Sequence, residues 1–150
     1  MSKIIFGYEI NNVWKGGYSF SVYKNGIANT KKLSVSGKII ESKNFSIPQS
    51  VVDNIKKYLL EQKNLIENLP KEIFGFTVDG GWCNFNFLEK EIYCCNISKI
   101  SDMEINKIEI REGKISKSIM ESIQQQNSVL EIFESANKFL TEFEEKIYHL

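Results

Sequence analysis

Hydrophobic and smaller or polar residues alternate from Ile4 to Ile10, where Ile4, Phe6, Tyr8 and Ile10 interleave with Ile5, Gly7 and Glu9. A period of two describes a strand with one buried face. The next run, YSFSVYKNGIANTKKLSV, sets Asn25-Gly26 between two stretches of strand formers. That dipeptide suits a type I′ turn, which needs positive φ at both central residues, so a hairpin is predicted. After Ile47-Pro48 the period lengthens, and Val52, Ile55, Leu59, Ile66 and Leu69 recur at three-, four- or seven-residue steps. Pro48 fits a first helical turn and Pro70 ends the run, so a helix is expected over residues 48–68.

Alternation returns in VDGGWCNFNFLEKEIYCCNI, residues 78–97. With turns at Asp79-Gly80 and Glu89-Lys90, Phe76 faces Cys83, Phe74 faces Phe85, Phe85 faces Cys94 and Phe87 faces Ile92. The expected product is a three-stranded meander with Phe74, Phe76, Val78, Cys83, Phe85, Phe87, Ile92 and Cys94 on its covered face. Its other face then carries Ile73, Thr77, Trp82, Asn84, Asn86, Tyr93 and Cys95. MEINKIEI reads as one more strand, and Ile115, Ile119, Met120 and Ile123 suit a short helix. Ser128 and Glu131 have the spacing of a capping box, opening a second main helix with Val129, Phe133, Ala136, Leu140, Phe143 and Ile147 on one stripe. The expected fold is α+β: one domain over 1–150, an antiparallel sheet of about six strands, and two main helices on one face.

Composition narrows the class. A chain of 150 residues, 42 % of them hydrophobic, can bury a core without disulfide or metal staples. Formal net charge is zero, which argues against a nucleic-acid partner. The zero hides a gradient of +5 over 1–70, −1 over 71–120 and −4 over 121–150. The chain has neither the apolar stretch of a secretion signal nor that of a membrane span, and its three cysteines do not pair off. A cytoplasmic location with reduced thiols is the expectation. The abundance of Ile, Asn and Lys, which have A/T-rich codons, points to a low-GC bacterium.

Candidate chemistry is sparse. The one histidine, His149, is next to the last residue, a poor station for a general base, and no second histidine is present to complete a nucleophile pair or a metal site. Cys94 and Cys95 are adjacent in a strand and point to opposite faces; Cys83 and Cys94 share the core face as diagonal neighbours and read as small hydrophobes. Asp79 and Asp102 are the nearest approach to a hydrolase's carboxylate pair, but Asp79 has sufficient reason to exist in an Asp-Gly turn. Gly16-Gly17 and Gly80-Gly81 lack the lysine and spacing of a phosphate loop. No catalytic residue, cofactor or metal is therefore expected.

Three stretches, YSFSVYKNGIANTKKL, FTVDGGWCNFNFLEKEIYCCNI and SVLEIFESANKFL, together resemble small α+β immunity proteins encoded with bacterial polymorphic or contact-dependent toxin systems. The shared features are an early Asn-Gly hairpin, a strand-Asp-Gly-strand unit with alternating Phe, and a final V-L-x-I-F helix, over about half the chain. The resemblance implies a protein that binds one cognate toxin and blocks it without catalysis. This chain departs from the commonest such profile in being neutral rather than acidic. Candidate contacts are Trp82, Asn84, Asn86 and Tyr93 on the outer sheet face and Glu131, Glu134, Glu142 and Glu145 on the last helix. The alternative is a homo-oligomeric structural or regulatory domain, such as a homodimer, pairing through the same aromatic face.

Overall fold

A computed structural model describes residues 3–12, 16–77 and 81–148, giving the backbone alone for Asn12 and for 144–148. Strands β1 (Ile4–Asn12), β2 (Gly16–Tyr23), β3 (Ile27–Leu33) and β4 (Ile39–Ser46) come first, then helices α1 (Gln49–Glu61) and α2 (Lys63–Asn68). Three more strands follow, β5 (Glu72–Phe74), β6 (Trp82–Phe87) and β7 (Lys90–Cys95), and then α3 (Asp102–Glu112) and α4 (Lys117–Tyr148). The fold is α+β, with one seven-stranded sheet in the order β4-β3-β2-β1-β6-β7-β5. All neighbours are antiparallel except β5 and β7.

The pairings place Phe6, Tyr8, Phe20, Val22, Ala28, Phe85, Phe87, Ile92, Cys94 and Ile73 on one face. Against it pack Val52, Ile55 and Leu59 of α1 and Val129, Ile132, Ala136 and Leu140 of α4. Phe133 of α4 reaches the middle of that face, its ring 4.9 Å from Tyr8 and 5.0 Å from Phe85. Burying each such aromatic or branched side chain contributes about 1.5–3 kcal/mol, which outweighs the modest propensity of these sequences for their local states.

The β2–β3 hairpin forms where Asn25-Gly26 places it, but through a different turn. Three residues, 24–26, separate the strands; Gly26 has a φ of 87° while Asn25 keeps negative φ and uses its side chain to accept the Ile27 N–H. Three-residue loops of this kind end in a left-handed glycine, which Asn-Gly serves equally well. The β6–β7 turn is at Leu88-Glu89, one residue earlier than expected, with φ of 51° and 72°. Phe87 therefore faces Lys90, Phe85 faces Ile92 and Cys83 faces Cys94. This is a two-residue slip, so every side chain keeps its expected face. The earlier turn tucks Leu88 against the core, sends its N–H to the Ile5 carbonyl (2.9 Å), and lets Asn86 accept the Glu89 N–H (3.0 Å).

The meander is overturned at its first strand. Residues 72–74 run parallel to β7, Ile73 beside Cys94, which puts Ile73 in the core and leaves Phe74 and Phe76 exposed at 59 % and 53 %. Gly75 and Thr77 continue this course, donating to the carbonyls of Cys95 and Asn96. The expected turn at Asp79-Gly80, with Val78, lies outside the described residues.

The expected helix over 48–68 breaks at Gln62, whose N–H reaches back to the carbonyls of both Tyr58 and Leu59. MEINKIEI is not a strand but α3, capped by Ser101, whose hydroxyl accepts the Glu104 N–H, and closed at Gly113 with φ 93°. The short helix around Ile119 and the helix expected from Ser128 are one: α4 runs unbroken through Ser128, 32 residues or about 48 Å at 1.5 Å per residue. Ser128 is thus a mid-helix residue and caps nothing.

Candidate functional site

Because α1 and α4 both pack on one face, the reverse face carries neither of these two helices. Strand pairing assembles there a diagonal of aromatic rings from three strands. Trp82 of β6 stacks on Tyr93 of β7 at 6.2 Å with planes 29° apart, and Phe74 of β5 meets Tyr93 edge-on at 6.4 Å. Trp82 and Tyr93 are half-buried, and Phe74 is open. Beside the rings, Asn84 pairs across to Tyr93 on one side and to Glu9 on the other, and Asn86 pairs with Gly7 and Glu91.

Gly7 has no side chain to raise on this face, and an added Cβ would come within 3.1 Å of the Phe20 carbonyl. The result is a shallow hollow of about 230 Å³ edged by Glu9, Ser19, Ser21, Asn84, Asn86 and Glu91. Asn86 already caps the β6–β7 turn, whereas among the described residues the Asn84 side chain has no hydrogen-bond partner. An amide with two donors and an acceptor, beside apolar rings and two carboxylates, can recognise a polar or cationic group next to an apolar one.

The helix acids are elsewhere. Glu131 and Glu134 lie on the exposed side of α4, across the sheet from Trp82, and both are engaged by Lys99 at 2.7 and 2.6 Å. Hydrogen bonding to these two carboxylates lifts the Lys99 ammonium above its usual range, and the same contact holds Glu131 below the usual carboxylate range. Glu142 sits 4.0 Å from Lys138, and the side chain of Glu145 lies outside the described residues. The seven expected contacts among the described residues thus divide between two sides of the molecule, and no single flat partner surface covers both. Phe74, Glu9 and Glu91 join the sheet group instead. Phe74 was hidden by the assumed meander, Glu9 by the absence of any sign in the sequence that β1 and β6 are neighbours, and Glu91 by the turn set one residue late, which put it opposite Leu88 rather than Asn86.

A hollow of about 650 Å³ lies between α1, α2 and α4 and is lined by Tyr58, Gln62, Leu65, Ile100, Glu104 and Ile132 with the Lys99–Glu131 pair at its edge. Its hydroxyls and carboxylates do not form a nucleophile–base pair among the described residues: Ser101 is spent on capping α3, and Asn127 holds the Ile100 backbone through both its amide atoms. Asp102 is the exposed first residue of α3, and Asp79 lies outside the described residues. His149 does too. Among the described residues no three His, Cys, Asp or Glu side chains converge on a point where a metal ion could sit.

Cys83 and Cys94 are direct cross-strand partners rather than diagonal ones, both as free thiols. The hydrogen bond between them draws the Cys83 thiol below the ordinary range and pushes Cys94 above it, and burial raises Cys94 further. Among the described residues no helix is long and apolar enough to cross a membrane.

Comparison of the chain with known protein families finds none that matches, and comparison with curated proteins finds no relative.

Proposed function

We propose that the chain is a non-catalytic, cytoplasmic immunity protein that binds a cognate bacterial toxin through the sheet face opposite α1 and α4. The observation that carries this reading is the uncovered strip Phe74–Tyr93–Trp82 beside the unpartnered Asn84 amide. Large rigid rings beside adaptable amides are the composition of an interface centre, where Trp and Tyr concentrate binding energy. The flanking Glu9 and Glu91 give the partner's charge: its surface presents an apolar patch bordered by lysine, arginine or a hydroxyl. Glu131, Glu134 and Glu142 play a lesser part, since each is close to a lysine of its own chain.

The test is affinity capture of the tagged protein from its own bacterium, followed by mass spectrometry of partners that survive a salt wash. A stoichiometric partner carrying a toxin domain is expected, and Trp82→Ala with Tyr93→Ala should weaken its binding at least about a hundredfold, from the 2 kcal/mol or more typical of each interface hot spot. A folded double variant that still captures and neutralises the toxin would remove this face as the site. Recovery of the protein alone, from cells that express the neighbouring gene, would favour self-association through this face.

A further inference from the structure

The two ends of the sheet are unlike. β5 exposes an edge three residues long, while β4 exposes eight residues without proline, all of them accessible to solvent. Ile39, Ile40 and Phe45 of β4 are 58 %, 61 % and 42 % exposed, and its two charges, Glu41 and Lys43, cancel. An edge of this length is a template for another strand unless something opposes it.

Backbone phase identifies which groups are free. The Ile47 N–H bonds to the Gly26 carbonyl, and Phe45, Lys43 and Glu41 pair with Ala28, Thr30 and Lys32 at alternate steps beyond it. By the alternation of antiparallel ladders, these three turn their backbone groups toward β3, while Ser42 and Asn44 turn theirs outward.

We propose that β4 is a dimerisation edge that pairs antiparallel with β4 of a second copy about a two-fold axis through Ser42. The charge pattern selects both the occupant and the register. In this register the two Ser42 residues exchange backbone bonds, Glu41 faces Lys43 of the second copy, and Lys43 faces its Glu41. Sliding two residues one way sets Glu41 against Glu41, and sliding two the other way sets Lys43 against Lys43. Like charges directly opposite each other are unfavourable, so only the central register satisfies both charges. Ile39 at one end of β4 then faces Phe45 at the other end of its partner, and Ile40 faces Asn44. The Glu41–Lys43 bridge of 3.0 Å within each chain is exchanged for its counterpart between chains, two for two. The product is one continuous sheet with both helix layers on one side and both aromatic strips on the other. The inference is independent of the toxin reading.

Sedimentation velocity across the micromolar range tests it. The native protein should show a concentration-dependent monomer–dimer equilibrium, and Lys43→Glu or Glu41→Lys alone should weaken it about tenfold or more. The exchanged pair Glu41→Lys with Lys43→Glu should restore it. Ser42→Pro, which removes an outward N–H that an edge strand can forgo, should abolish the dimer and leave the far-ultraviolet circular dichroism unchanged. Trp82→Ala should leave the dimer intact. A native protein that stays monomeric throughout, or a dimer indifferent to both Lys43→Glu and Ser42→Pro, would overturn the proposal, and failure of the exchanged pair to restore it would overturn the register.

Discussion

Replacing Glu89 by glycine should make the protein more stable. Leu88 and Glu89 both hold left-handed backbone, with φ of 51° and 72°, in a turn that normally selects Asn and Gly. An L-residue with a Cβ spends about 1–2 kcal/mol in that conformation. Glycine removes this cost at position 89 and adds back about 0.4–1 kcal/mol of unfolded-state entropy. The ion pair lost with it, Lys3–Glu89 at 3.7 Å between two exposed side chains, contributes little. The balance is a gain of about 0.5–1 kcal/mol, or roughly 1–4 °C in Tm for a chain of this size. Leu88→Gly relieves the same strain but strips a side chain that packs on the core, so it should lose about 1–2 kcal/mol net. Urea and thermal unfolding followed by circular dichroism measure both. If Glu89→Gly is neutral or destabilising, or if the two variants behave alike, the turn is not strained as its dihedral angles imply.

Gly75→Ala should cost about 3 kcal/mol, because the added methyl would overlap the Asn96 carbonyl and lie 2.7 Å from Gln126 Oε1 with backbone on one side unable to yield; urea unfolding reads the loss. Lys99→Ala should return the Glu131 carboxyl upward to the ordinary range, measurable by NMR titration. Since Glu131 is held low in the folded protein, its contribution to native stability is present above the ordinary carboxylate pKa of about 4.3 and fades as pH falls below it. The native protein should therefore show a steeper acid loss there than Lys99→Ala.

The sequence was most legible where a pattern had one physical cause. Cys83, Phe85, Phe87, Ile92 and Cys94 alternate because one side of β6 and β7 is covered by helices, so their face could be read even though the register was two residues out. β4 escaped notice for the opposite reason: both its sides meet water, so IIESKNFS carries no alternation to find. The parallel β5–β7 pair depends on residues distant in sequence, and an Asp-Gly dipeptide nearby supplied a plausible local substitute. α3 buries none of its residues and so has no apolar stripe, yet Ser101 and Glu104 are three apart and Gly113 follows. The start and stop of a helix were written there, while the same serine–glutamate spacing at Ser128 and Glu131 fell inside α4, where caps have no function. Trp82 and Tyr93 of the candidate site were legible from alternation alone; Phe74 was not, and neither was the acidic part, because charge counted along a chain says nothing of which side of a sheet it occupies.

The central position of β1 also fixes an order of events during synthesis. Its neighbours are β2, made at once, and β6, which begins 70 residues after β1 ends at Asn12. At 5–20 residues per second the ribosome takes roughly 4–14 s to deliver that second neighbour. Through that interval β1 to β4 and then α1 can assemble, but the β6-facing edge of β1, carrying Phe6 and Tyr8, stays open in a crowded cell. The nascent chain is most exposed to wrong pairing at what will become the middle of its sheet, and arrival of residues 82–87 is the step that ends the exposure.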